Sequence, residues 1–405
     1  MADAEKRVGG IDLLRGLCII AVILNHINLR IRLNQSAFGK WIGPTASDAL
    51  VWNGHDGVRV FFVISGFLIT TWTLKRWGAL RHINGRQFYA MRFARIVPCL
   101  LGLLALLAVL DRLGAPRFTI DTRHTTLGGA IFAALTFHVN WLEARTGYLP
   151  AAWDILWSLS VEEVFYLFFP ILCAALRKPF LRIAVFCGLI VVGPYARVHM
   201  PHGLWADYGY RCCMDGIAFG CLAAMASARF RFGRGGNLAM CYLGAAVAAF
   251  ITIFTGAVTR LGLYKAGLDE TVLEIAIACV LIGLQQMFER EAAEVTAAER
   301  LHNAGPVRKL LDAPSAALRW FGRNSYEVYL THMLVVWPIV GIFYRAQQSI
   351  QAGPIWFVAA IFLAGALGSV VARYYSEPLN RRLRRKLITP AKSGAAASES
   401  VKQSA

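Results

Sequence analysis

Charged residues are scarce in this chain, and acidic residues are the scarcest of them. Only 16% of the 405 residues are charged, whereas 57% are hydrophobic, and there are 24 aspartates and glutamates against 42 lysines and arginines. A soluble domain of this size needs a polar exterior that such a composition cannot supply. The low charge content therefore excludes a soluble globular protein and predicts a polytopic membrane protein.

The sequence also lacks a cysteine pattern typical of disulfides or metal sites, and it lacks a signal-peptide cleavage site. The nine cysteines lie mostly inside apolar segments and form no CxxC pair, so we expect small buried apolar residues, with no disulfide framework and no metal site. A signal-peptide cleavage site is lacking as well. Lys6 and Arg7 precede an apolar run, but that run contains Arg15 and His26 and no small-residue cleavage motif. The first segment is therefore predicted to be retained as a helix.

Ten apolar segments are long enough to cross a hydrocarbon core of about 30 Å, which takes roughly 20 helical residues. They lie at 11–29, 57–74, 96–112, 155–176, 181–198, 209–227, 236–258, 270–288, 323–344 and 354–376. A shorter run at 126–141 is predicted to be re-entrant or interfacial, because counting it as a span would put some basic loops outside. The predicted fold is all-α, with about ten transmembrane helices within residues 1–386 and a disordered polar tail at 387–405.

The formal net charge of +18 indicates orientation in a membrane rather than binding to nucleic acid. The basic residues concentrate in short segments between apolar spans, as in 75–95, and such segments stay on the cytoplasmic side. We therefore expect a multi-pass protein of the cell (inner or cytoplasmic) membrane with both termini in the cytoplasm. Its expected surroundings are membrane lipids, and its oligomeric state is left open.

The first apolar segment contains two ionisable residues, Arg15 and His26, eleven positions apart. In an α-helix this spacing is about three turns and a rise of roughly 16 Å, so both side chains lie on one face. A charge near the bilayer centre costs on the order of 2.5 kcal/mol or more and is tolerated mainly where it faces a polar cavity. The first helix is therefore predicted to line a site. A packed structural histidine is the alternative reading of His26.

A second polar pair lies in WSLSVEEVFYLFFP at 157–170. Ser158 and Glu162 are four residues apart and share a helix face, whereas Glu163 points about 100° away. A carboxylate inside a span is unfavourable unless it is paired or faces water. Glu162 is therefore a candidate site residue, and an ion pair with an arginine is the structural alternative.

Arg92 and Arg95 lie at the start of the predicted third span, one turn apart, in a segment with six positive charges and no acidic residue. Two guanidinium groups in such a cluster suit an anionic ligand that carries phosphates. Basic residues at a cytoplasmic helix start are also common orientation signals, and this alternative stays open.

Weaker candidates for contact with a substrate are Ser158, Arg59 and His332, which are polar residues at or within spans. Arg211 and Asp215 are four residues apart and are predicted to form a salt bridge within one helix. No serine has an adjacent base at a readable spacing, so no serine acyl-enzyme is predicted.

Five patterns taken together resemble the acyltransferase-3 family of integral membrane O-acyltransferases. They are the Arg15 to His26 spacing, GVRVFFVISGFLIT at 57–70, FYAMRFARIVP at 88–98, WSLSVEEVFYLFFP at 157–170, and GRNSYEVYLTHMLVV at 322–336 with SEPLNRR at 376–382. The resemblance extends over about residues 9–385. It implies transfer of a short acyl group, most often acetyl, from acyl-coenzyme A to a hydroxyl of a carbohydrate or glycolipid.

This resemblance implies roles for the candidate residues. His26 is the candidate general base, because a neutral imidazole can take the proton of an attacking hydroxyl near neutral pH. Glu162 is expected to orient His26 or to contact the acceptor. Arg15, Arg92 and Arg95 are expected to bind acyl-coenzyme A, which is a co-substrate; no bound cofactor is expected.

A membrane transporter or exporter of a small or glycosidic substrate is the alternative function. Intramembrane arginine, histidine and glutamate residues also mark transport pathways. Carriers commonly consist of two halves with matching patterns, but neither the Arg15 to His26 spacing nor WSLSVEE occurs a second time. The sequence therefore favours the enzyme.

Overall fold

The structure, a computed structural model, describes residues 8–298 and 313–388. Within these ranges the regular secondary structure is helical and no strand occurs, which confirms the predicted all-α class. The predicted disordered tail falls almost wholly outside the described residues.

Nine helical stretches of the described chain are long and apolar enough to cross a membrane, and a tenth consists of two helices bent by 46°. In chain order the helices are α1 (Gly9–Asn28), α2 (Ala37–Ile42), α3 (Pro44–Val51), α4 (Gly54–Trp77), α5 (Gly85–Arg112), α6 (Leu127–Leu135), α7 (Val139–Thr146), α8 (Ala151–Asp154), α9 (Leu156–Ala175), α10 (Pro179–His199), α11 (Leu204–Tyr208), α12 (Tyr210–Arg229), α13 (Arg234–Ile253), α14 (Thr255–Arg260), α15 (Asp269–Ala298), α16 (Ala313–Arg323), α17 (Ser325–Thr331), α18 (Met333–Arg345), α19 (Gly353–Val371) and α20 (Glu377–Ile388). The bent pair is α17 with α18, and a π-helical turn at Ala372–Ser376 joins α19 to α20.

The segment predicted not to cross the membrane forms two short helices, α6 and α7. They have 9 and 8 residues, so each rises only about 12–14 Å, less than half of a hydrocarbon core of about 30 Å. Side-chain contacts between α1 and the bent pair also indicate that this segment does not cross the membrane. Arg15 contacts Ser325 and His26 contacts His332, so α1 and the bent pair run in the same direction. They are the first and ninth of ten spans, and one more crossing between them would reverse this direction.

Two element boundaries differ from the prediction. Helix α5 begins at Gly85, where the Asn84 side chain accepts a hydrogen bond from the Gln87 amide and caps the helix. Arg92 and Arg95 therefore lie two to three turns inside α5 and not at its start. The predicted span at 323–344 is divided into two helices, because the helix breaks at His332.

Basic residues gather at one end of the bundle. Helices α4, α12 and α15 end on the same side, where Lys75 and Arg231 both pair with Glu289 at 3.3 and 2.5 Å. We call this side the basic end. Arg15 lies in the half of α1 nearer this end, and His26 lies in the last turn of α1, near the opposite end.

A close helix crossing joins α1 to α16, the helix that precedes the bent pair. A Cβ atom at Gly16 would lie 2.0 Å from the Leu318 carbonyl oxygen, and one at Gly322 would lie 1.7 Å from the Asp12 carbonyl oxygen. Both distances are far below van der Waals contact, so only glycine permits this approach of α1 to α16. The contact places Arg15 beside Ser325, at the start of α17.

Candidate active site

Polar side chains form a column through the bundle interior, and its part nearer the basic end contains Arg15. The guanidinium of Arg15 donates hydrogen bonds to Ser325 Oγ from Nε at 3.1 Å and from Nη2 at 2.8 Å. These two residues are 310 positions apart in the chain. Arg15 therefore faces the interior, as the shared face with His26 predicts.

Arg95 forms an ion pair with a buried carboxylate. Its Nη1 atom lies 3.0 Å from a carboxylate oxygen of Glu327, which is 1% exposed, and Ser376 donates a second hydrogen bond to that oxygen at 2.8 Å. Breaking one side of a buried pair leaves an uncompensated charge. Arg95 therefore has a structural partner that ties α5 to α17, and its proposed contact with acyl-coenzyme A stays a prediction.

Arg92 has different surroundings. Its guanidinium carbon lies 3.6 Å from the ring centre of Tyr166, an arrangement typical of a cation–π contact. Within the described residues it forms no ion pair, and its buried Nε has no hydrogen-bond partner. Arg92 therefore differs from Arg95 in having no carboxylate within ion-pair distance in the described chain, although the charges of Glu162 and Glu163 act on it.

Glu162 joins the same group of side chains. Its carboxylate hydrogen-bonds with Ser65, and the Arg92 and Arg15 charges act on it. Ser65 also hydrogen-bonds with the hydroxyl of Tyr166. The structure thus brings Glu162 to the arginines predicted to bind the donor, and it gives the carboxylate a serine partner on α4.

Ser158 points towards α17. Its hydroxyl lies 2.7 Å from the hydroxyl of Tyr329, which itself donates to the Ile155 carbonyl oxygen at 3.0 Å. The Ser158 hydroxyl also lies 3.4 Å from that carbonyl oxygen, so the three groups form one hydrogen-bonded cluster. Ser158 therefore links the WSLSVEE helix to the residue three positions before His332.

The column ends at two histidines that the sequence places 306 positions apart, His26 and His332. Their ring centres are 5.0 Å apart, with the ring planes at 51°. His332 is fully buried, and its Nδ1 lies 2.6 Å from the Tyr329 carbonyl oxygen. His26 is half-buried. The two histidines predicted separately therefore belong to one site.

Arg59 is fully buried and lies in a separate ion cluster between α4, α10, α12 and α15. It pairs with Glu270 at 2.5 Å and lies 3.9 Å from Asp215, and Arg197 contacts the same two carboxylates at 3.2 and 2.8 Å. The predicted Arg211–Asp215 bridge is therefore wrong, and Arg211 is exposed. Burial with these partners gives Arg59 a structural role in the described chain.

One polar pair was not anticipated from the sequence. Glu143 and Asp154 are buried near the end of the bundle opposite to the basic end, and their carboxyl groups lie close enough to form a hydrogen bond. One oxygen of Glu143 accepts from the Leu149 amide at 3.0 Å. Two carboxyl groups can bond only if they share a proton, and burial together with the Asp154 charge raises the pKa of Glu143 well above its ordinary value.

We expect this shared proton to make stability depend on pH. The raised pKa keeps Glu143 protonated in the folded state, so its contribution is complete below the pKa of the unfolded chain and is lost as pH rises. Glu143→Gln donates the same hydrogen bond without needing a proton. The melting temperature of the variant in detergent, relative to wild type, should therefore rise between pH 5 and pH 8, by the equivalent of about 1 kcal/mol or more. Glu291→Gln, at an exposed position on α15, is the control. A pH-independent difference would contradict the shared proton.

An all-helical membrane bundle with arginines, carboxylates and two histidines in its interior has the architecture of a membrane enzyme or carrier. Comparison with known proteins distinguishes the two. The acyltransferase-3 family, described as an acyltransferase domain, matches residues 8–374. The chain belongs to this family.

Two relatives of known name are O-acetyltransferases. The chain is 25% identical over 396 residues to the peptidoglycan O-acetyltransferase OatA of Listeria monocytogenes, which covers 93% of this chain and 56% of that protein. It is 24% identical over 178 residues to the O-acetyltransferase OatA of Staphylococcus aureus, covering 44% of this chain and 26% of that protein. The chain thus spans little more than half the length of the Listeria relative. No solved structure matches it.

Proposed function

We propose that this protein transfers a short acyl group, acetyl in the simplest case, from acyl-coenzyme A to a hydroxyl of a carbohydrate or glycolipid. The observation that carries the proposal is the interior polar column, which runs from Arg92, Glu162 and Arg15 to His26 and His332. Family membership and the names of the O-acetyltransferase relatives support the reaction class.

In the proposed reaction His26 takes the proton of the acceptor hydroxyl while the oxygen attacks the thioester carbonyl. A new ester C–O bond forms, the C–S bond breaks, and the coenzyme A thiolate leaves and takes up the proton. Arg92 and Arg15 bind the anionic donor on the side of the basic end. The Glu162 carboxylate positions both arginines by the attraction between opposite charges. The acceptor approaches from the His26 end.

The test of the reaction is mass spectrometry of cell-envelope glycans and secreted glycosides from cells with and without the gene. A mass difference of one acetyl group on one glycan class would identify the acceptor and the acyl group together. Identical spectra, with the protein present in the membrane, would contradict a carbohydrate acceptor.

We also propose that the basic end faces the cytoplasm and that both termini lie there, in the cytoplasmic membrane. Arg86 is exposed on α5 at the basic end, and Arg145 is exposed on α7 at the other end. The Arg145→Cys protein should react with a membrane-impermeant maleimide added to intact cells, whereas the Arg86→Cys protein should react only after permeabilisation. The wild-type chain with its native cysteines gives the background. Equal labelling of both sites in intact cells would contradict the topology.

A further inference from the structure

We infer that His332 is a positioning residue for His26: its Nε2 accepts a hydrogen bond from a ring N–H of His26, directly or through one water molecule. This bond determines which nitrogen of His26 is left to take the proton. The inference rests on the proposed function, since it concerns the orientation of the proposed base.

The hydrogen-bond partner of His332 determines its tautomer. A backbone carbonyl oxygen only accepts hydrogen bonds, so the 2.6 Å contact with the Tyr329 oxygen requires a proton on Nδ1. In the neutral ring, Nε2 is then a lone-pair acceptor. This orientation makes His332 an acceptor towards its other neighbours.

The Nε2 atom of His332 is buried and has no hydrogen-bond partner within the described residues. A buried acceptor without a donor costs roughly 1–3 kcal/mol, so such atoms in proteins are usually satisfied by a neighbour, water or a ligand. The ring centre of His26 lies 5.0 Å from that of His332, and the His26 ring can donate a hydrogen bond from either nitrogen. The two rings do not form this bond in the structure itself, so a rotation of the His26 ring or one bridging water molecule completes it.

The backbone at His332 supports a functional position. Helices α17 and α18 bend by 46° at this residue. Breaks in helices at membrane depth are tolerated where the backbone is buried in protein or lines a cavity, and they are common at substrate sites. The break brings His332 against the end of α1, where His26 lies.

A fixed tautomer matters for a general base. If His26 donates to His332 through one nitrogen, its other nitrogen carries the lone pair and is directed away, towards the acceptor hydroxyl. When His26 becomes protonated, the bond to the neutral His332 becomes charge-assisted and strengthens. The expected effect of His332 is therefore on the chemical step and not on donor binding.

Two substitutions separate this role from a structural one. Asparagine at position 332 retains a donor near the Nδ1 position, which can still bond to the Tyr329 carbonyl, but it lacks an acceptor at the Nε2 position. Glutamine reaches the Nε2 position with an amide oxygen that can accept. We expect His332→Asn to lower kcat by about tenfold to hundredfold, less than loss of the base itself. We expect His332→Gln to retain most of the rate.

The assay uses membrane vesicles that contain the full chain and the cell-envelope glycans of the host, and it measures the radiolabel transferred from acetyl-coenzyme A to the glycan fraction. The half-saturating acetyl-coenzyme A concentration should stay within about twofold of wild type in both variants. In a His26→Ala background, adding His332→Asn should not lower the residual rate further.

Higher activity of His332→Asn than of His332→Gln would show that the contact with Tyr329 is what matters, and would overturn the inference. Wild-type rates in both variants, or failure of both to fold in size-exclusion chromatography, would overturn it as well. If His26→Ala itself remains fully active, the proposed base is wrong. If His26→Ala is inactive while His332→Asn behaves like wild type, only the role of His332 fails.

Discussion

Replacing His26 with alanine or glutamine is expected to reduce acyl transfer by about a hundredfold to ten-thousandfold, the usual contribution of a general base. Donor binding should remain, because the arginines that are proposed to hold acyl-coenzyme A lie nearer the basic end. The wild-type rate should also fall at low pH, since a protonated imidazole has no lone pair to accept the hydroxyl proton. Both are measured as initial rates of acetyl transfer in membrane vesicles.

The matched control is His199→Ala, which removes an exposed histidine at the end of α10. It should leave the rate unchanged. Protection of the His26 variants against heating by coenzyme A would show that they fold and bind the donor. A folded, donor-competent His26→Ala protein with full activity would exclude the mechanism and direct attention to His332 or Glu162 as the base.

Replacing Arg92 with alanine is expected to weaken donor binding by about tenfold to hundredfold, which corresponds to loss of a hydrogen-bonded charge worth about 1.5–3 kcal/mol. The guanidinium of Arg92 stacks on Tyr166 and has no carboxylate within ion-pair distance in the described chain, so its removal should disturb the fold less than removal of Arg95, although Glu162 and Glu163 lose a favourable charge. The acyl-coenzyme A concentration for half-maximal rate should rise while the folded protein is retained.

Arg86→Ala is the control for Arg92→Ala, because it removes the same charge from an exposed position on the same helix. Arg95→Ala should behave differently from both. It leaves the buried Glu327 carboxylate unpaired and should destabilise the protein by about 3–5 kcal/mol. Wild-type donor affinity in a folded Arg92→Ala protein would show that Arg92 is only an orientation signal.

The contrast between Arg92 and Arg95 shows what could not be predicted from the sequence. The sequence placed both residues one turn apart in a basic segment, where either suited a phosphate. Whether each has a carboxylate partner depends on α17, which supplies Glu327 from 232 positions away. Local spacing contains no information about such a partner.

Arg211 and Asp215 illustrate the same limit. Four residues apart on one helix, they satisfy the local rule for a salt bridge. Tertiary packing instead brings Arg197 and Arg59 to Asp215, and a buried carboxylate pairs with the buried guanidinium groups beside it. The exposed Arg211 remains solvated, because burying a further charge would bring no benefit.

The sequence by itself determined the class of fold, the number of spans, the non-crossing segment at 126–141 and the common face of Arg15 and His26. These features follow from the thickness of the bilayer, the cost of charge within it and the regular geometry of one helix. The tertiary structure alone decided that His26 meets His332, that Arg15 meets Ser325, and that the Glu143 carboxyl group lies beside that of Asp154. The physical reason is that side chains on different helices come together through helix packing, such as the glycine contact between α1 and α16, which no local pattern encodes.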